Sequence, residues 1–169
     1  PRMLAGLFAG FAFGIGGHIF QTMLRNPLAN PNVLGITAGS SAAAVFCIVV
    51  LHASRTVVSV AAVVAGLATV LLIYGLSRGS KFSIGRLILI GIGVQAMLDA
   101  VISWLMLISR QHDIPAVLRW LSGSLNGVQM HELPPLIAVV LIFAPIVAAL
   151  GKHLSILELG EHSAISLGV

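Results

Sequence analysis

Residues 86–109 read RLILIGIGVQAMLDAVISWLMLIS, and two folds compete for this stretch. Within it, Gly91, Gly93 and Ala96 form a GxGxxA pattern after a strand-like run, and Asp113 follows about 20 residues later. That pattern belongs to a dinucleotide-binding turn, which needs a strand, a tight turn and an amphipathic helix inside a βαβ unit. Here the residues after the glycines stay apolar on every side, and no second strand follows. The competing reading is a single helix, since a hydrocarbon core roughly 30 Å thick is crossed by about 20 apolar helical residues. The membrane helix is the better account.

The rest of the chain repeats the pattern. Only 8% of its residues are charged and 58% are hydrophobic, against about 25% charged in an ordinary soluble domain. Long apolar runs cover residues 2–24, 34–51, 56–77, 86–109 and 133–150. In lipid each must be helical, because an open strand would leave backbone groups unpaired. The expected fold is therefore an all-α, polytopic helical membrane bundle. Its connectors carry most of the charge. The first, RNPLANPNV at 25–33, contains two prolines that forbid continued helix. Residues 52–55 make a tight turn, 78–85 are short and basic, and 114–121 read as a short amphipathic helix ended by Ser122, Gly123 and Ser124. Residues 152–169 alternate polar and apolar and are too broken to span. The chain opens directly on a full-length span with neither n-region nor cleavage site, so that span is no signal peptide, and an internal piece of a longer chain is expected.

Composition excludes several functions. The nine Lys and Arg residues lie in separate loops and form no basic stripe for nucleic acid. A lone Cys47 permits no intrachain disulfide and no thiolate cluster; no metal site and no cofactor is assigned. GLSRGSK at 75–81 lacks the glycine before lysine and the preceding strand of a phosphate-binding loop. His112-Asp113 and His131-Glu132 flank one loop and could form an external metal site, but nothing fixes their separation, and solvated loop charge is the better reading. No Ser, His and acid set has the context of a hydrolase elbow, and no catalytic residue is assigned. Charge alone leaves orientation open: Arg25, Arg78, Lys81, Arg86 and Lys152 nearly balance Arg2, Arg55, Arg110 and Arg119.

The polar residues inside the spans hold the functional signal. Gly6, Gly10 and Gly14 recur every fourth position and make a groove for close helix packing. His18, Gln21, Thr22 and Arg25 continue that face, and His18 and Gln21 would be costly against lipid. In the fourth span Gln95, Asp99 and Ser103 stand at i, i+4 and i+8. A carboxyl group near mid-membrane costs roughly 2.5–3.5 kcal/mol on insertion scales, so Asp99 is expected to face inward with a polar neighbour.

With spans and connectors placed, RNPLANPNVLGITAGSSAA at 25–43 resembles the signature of the FecCD-type permeases. These are the membrane subunits of ABC importers for iron–siderophore complexes, haem and cobalamin. GRLILIGIG at 85–93, RWLSGSLNGV at 119–128 and LSILELGEHSAISLGV at 154–169 agree in order and spacing. The resemblance implies a ten-helix subunit of the cell inner membrane, of which this chain would supply the second to sixth helices, five of the expected ten. It also implies a second permease subunit, a cytoplasmic ATPase dimer and an extracytoplasmic substrate-binding protein, with ATP hydrolysis in the partner. By match, Asn26 and Leu28 would narrow the cytoplasmic end of the path, with Ser83, Ile84 and Gly85 contributing. The family often carries small hydroxyl residues where this chain has Ile84 and Gly85. Gln95 and Asp99 would lie along the path. Residues 152–169 would form the coupling segment, with Leu159, Gly160, Glu161, Ala164 and Gly168 matching its pattern, and a cytoplasmic ATPase would then fix the orientation. Iron–siderophore transport by alternating access is the expectation. The rival is a proton-coupled secondary transporter using Asp99 and His18.

Overall fold

The computed structural model describes residues 1–24, 26–28, 30, 32, 35–78 and 84–158, with only the backbone of 84 and 152–158. Six α-helices occur among them: α1 (Arg2–Leu24), α2 (Ile36–Val49), α3 (Arg55–Ser77), α4 (Ile84–Ile108), α5 (Ile114–Ser122) and α6 (Leu133–Glu158). No strand is present among the described residues. The GxGxxA stretch lies wholly inside α4, which removes the turn a dinucleotide site requires. Four helical segments are long and apolar enough to cross a membrane: Arg2–Leu24, Arg55–Ser77, Gly85–Ile108 and Met130–Gly151. The protein is an all-α, multi-pass membrane protein.

Two compact units make up the fold. One comprises Pro31–Ser124 and is built around α2. That helix reads ITAGSSAAAVFCIV, and Ala38, Gly39, Ala42, Ala44, Val45, Cys47 and Val49 are buried. Its small side chains let α3, α4 and α5 all reach it. Ala42, Val45 and Val49 pack with Ile102 and Leu105 of α4 and Val117 of α5. Ala44 and Cys47 pack with Val58 and Ala62 of α3. On α3 the buried residues Val58, Ala62, Gly66, Thr69, Ile73 and Ser77 recur every three or four positions as one stripe. The hydroxyls on this stripe bond backward within the helix: Thr69 Oγ1 donates to Ala65 O at 2.8 Å and Ser77 Oγ to Ile73 O at 2.6 Å. Neither therefore leaves an unpaired donor in the apolar contact.

The α2–α3 contact depends on two glycines set against hydroxyl side chains. A Cβ at Gly39 would collide with Thr69 Oγ1 and lie 2.8 Å from Thr69 Cβ. One at Gly66 would collide with Ser40 Oγ. A third glycine, Gly35, precedes α2 at φ 69°, a left-handed conformation that side-chain-bearing residues resist. A Cβ there would also lie 3.0 Å from Gly91 O and 3.2 Å from Gln95 Cβ on α4.

The sequence leads one to expect a span over 34–51, but α2 is helical only over Ile36–Val49. At 1.5 Å per residue that is about 21 Å, short of a full hydrocarbon crossing. The reasons are local. Gly35 departs from helical geometry at one end, and at the other His52 takes φ 47° while Ala53 N–H donates to Cys47 O at 3.0 Å, closing the turn into α3.

The second unit contains Pro1–Asn30 and the chain from Leu125 onward. Here α1 packs on α6. Arg2 Nη2 donates to Asn126 O at 3.1 Å, and Gly6 takes up Leu125, whose Cδ1 would stand 3.3 Å from an added Cβ. A 3-10 turn, Met130–Glu132, leads into α6, and Glu132 Oε2 accepts the Gln129 N–H at 3.0 Å. Whereas the last span is expected to stop near residue 150, α6 continues as helix to Glu158, with Pro145 inside it.

Candidate translocation path and gate

The first connector shows how sequence makes the candidate gate. Pro27 disfavours helical geometry at the residue before it, and α1 ends at Leu24. Asn26 N–H donates to Gln21 O at 3.1 Å, while its side-chain Oδ1 accepts the Leu28 N–H at 2.9 Å. This Asx turn is a local alternative to helix. Leu28 is 88% exposed at this turn, an apolar side chain without cover.

On α4, Gln95 is half-buried beside Gly35, whereas Asp99 and Ser103 are exposed. Ser103 Oγ donates to Asp99 O at 2.8 Å, so its own donor is satisfied along the helix. The Asp99 carboxylate has no cationic partner among the described residues. Of the glycines in α1, Gly6 meets Leu125, while a methyl added at Gly10 or Gly14 meets nothing within 4 Å. His18 is exposed on α1. Gly85 is exposed near the start of α4; the Ile84 side chain and Ser83 lie outside the described residues. So do Leu159, Gly160, Glu161, Ala164 and Gly168.

One polar cluster joins the His112-Asp113 pair to a residue that the sequence did not connect with it, His52. Asp113 is 8% exposed, not solvated loop charge. Its Oδ1 lies 3.2 Å from His112 Nε2 and 3.9 Å from His52 Nδ1, and its Oδ2 is buried without a hydrogen-bond partner. The backbone explains the position, because Asp113 O accepts the Ala116 and Val117 N–H groups that begin α5. His52 reaches it from the α2–α3 turn, a meeting no local pattern announces. Among the described residues no group of three or more His, Cys, Asp or Glu is placed to hold a metal ion.

The sequence matches the FecCD transport family over residues 1–169. The chain belongs to that family. Among its FecCD relatives, the ferric enterobactin transport system permease protein FepG of Escherichia coli (strain K12) is 35% identical over all of this chain and 51% of its own length. The achromobactin transport system permease protein CbrC of Dickeya dadantii (strain 3937) is 34% identical over all of this chain and 49% of its own. The vitamin B12 import system permease protein BtuC of Vibrio vulnificus (strain CMCP6) is 32% identical, again over all of this chain and 51% of its own. A solved metal-chelate type ABC transporter in an inward-facing conformation superposes with a TM-score of 0.91 at 30% identity, covering all of this chain and 54% of that one. This FecCD chain thus spans about half the length of its relatives.

Proposed function

We propose that this chain forms part of the permease subunit of an ABC importer for iron–siderophore complexes, working by alternating access. The single observation that carries the reading is the family match across every residue, and its relatives include ferric enterobactin and achromobactin transport system permease proteins. The vitamin B12 relative marks the competing cargo within the same architecture.

The gate assignment rests on the Asn26 turn. A turn fixed by its own side chain can hold Leu28 in one position until the helices on either side move, which suits a constriction better than a flexible loop would. Gln95 and Asp99 line the path in this reading, because a carboxylate inside a span must face water or protein. Leu159, Gly160, Glu161, Ala164 and Gly168 contact a cytoplasmic ATPase dimer, and a second permease subunit completes the path. An extracytoplasmic binding protein delivers the cargo. ATP hydrolysis belongs to the partner, and this chain performs no covalent chemistry.

The coupling assignment is tested in the full-length subunit by Gly168→Trp, which would crowd an ATPase surface. Co-purification with the ATPase, or cargo-stimulated ATP hydrolysis, is expected to fall at least tenfold, by analogy with the loss of a packed interface residue, while membrane insertion stays normal. Unchanged values in both would refute the assignment.

A further inference from the structure

Asp99 sits nine residues before the end of α4 and fifteen after its start, about 14 Å and 22 Å along the helix axis. Both distances place it inside the hydrocarbon layer. It is exposed, and no Lys, Arg or His pairs with it among the described residues. Ser103, one turn further on, spends its hydroxyl proton on the backbone and so offers Asp99 no neutralising contact. α4 carries no basic residue between Arg86 and the residues beyond its end at Ile108. A carboxylate so placed in low-dielectric surroundings projects a field that water screens poorly.

We infer that Asp99 makes the path selective for charge, so that the transported metal chelate is neutral or cationic and not a polyanion. This rests on the placement of Asp99 on the path proposed above. It narrows the cargo class: a neutral or positively charged hydroxamate-type ferric chelate fits, and a trianionic triscatecholate chelate is repelled. If a second copy of the subunit completes the path, a second carboxylate doubles the effect.

The experiment uses the full-length permease with its ATPase and binding protein in proteoliposomes. A reporter thiol is introduced by Ser103→Cys in a Cys47→Ala background, since Cys47 is buried in α2. Labelling rates are compared for two water-soluble methanethiosulfonates of similar size, one bearing trimethylammonium and the other sulfonate. Reaction with neither reagent, in resting or ATP-cycling complex, would overturn the path reading itself. Given reaction, Asp99→Asn is expected to lower the cation-to-anion rate ratio by at least about tenfold, the scale of a unit charge acting over one helical turn. Asp99→Glu, which keeps the charge, is expected to preserve the ratio. An unchanged ratio in Asp99→Asn would overturn the charge filter while leaving the path intact, as would efficient ATP-driven uptake of a ferric triscatecholate by the unmodified importer.

Discussion

Two glycine contacts between α2 and α3 look alike in sequence and differ in the structure. At Gly66 an added methyl meets the Ser40 hydroxyl, but Ser40 Cβ stands 3.8 Å away. At Gly39 the obstacle includes Thr69 Cβ itself, at 2.8 Å. Overpacking costs about 1–3 kcal/mol, and the gain from replacing a helical glycine by alanine is about 1 kcal/mol. Gly66→Ala should therefore lower stability by about 1 kcal/mol and be restored by Ser40→Ala. Gly39→Ala should cost about 2 kcal/mol and stay impaired with Thr69→Ala. Thermal unfolding of the detergent-solubilised full-length protein would measure both pairs, and equal rescue at the two sites would contradict the packing described. The residue scale is also where the sequence is least legible. Asn26 is singled out only through the family resemblance of RNPLANPNV, and nothing local announces its turn to Leu28. Asp113 could not be read as buried, because the chain that brings His52 to it is remote in sequence.

Among the elements, α2 departs furthest from its sequence reading. Hydropathy counts apolar residues and is blind to where the backbone turns, so 34–51 reads as a span although Gly35 and His52 close the helix on either side. At the end of α6 the helix runs on past residue 150, where the span is expected to stop. Residues 152–158 look too polar to cross lipid, but a helix need not stop where the membrane does, and Lys, Leu and Glu there are good helix formers. The short amphipathic helix was legible: 114–121 in the sequence corresponds to Ile114–Ser122, with Val117 fully buried. Because Gly35 combines a left-handed φ with contact to α4, Gly35→Ala should cost about 2–3 kcal/mol, part from backbone strain and part from overpacking. A fall in unfolding midpoint is the expected result. A neutral outcome would mean that α2 does not begin against Gly91 and Gln95.

The whole molecule presents a surface that water cannot cover. Leu7, Phe11 and Phe13 on α1, Leu67 and Leu71 on α3, and Leu141, Ile142 and Phe143 on α6 are all exposed. So many exposed large apolar side chains need lipid or protein against them. The chain should remain in the membrane fraction through alkaline carbonate and leave it only in detergent; release by carbonate would contradict the multi-pass fold. Fold class was legible at this scale because the hydrophobic requirement of a bilayer acts on long stretches of sequence at once. The family was legible through the resemblance carried by stretches such as RNPLANPNVLGITAGSSAA. The central proposal, that this chain is part of a permease driven by a partner ATPase, is tested most directly by ferric-chelate uptake into proteoliposomes containing the full-length subunit and its binding protein. Uptake should require both ATP and the ATPase and persist when a protonophore collapses the proton gradient. Uptake that proceeds without the ATPase and stops with the protonophore would contradict it.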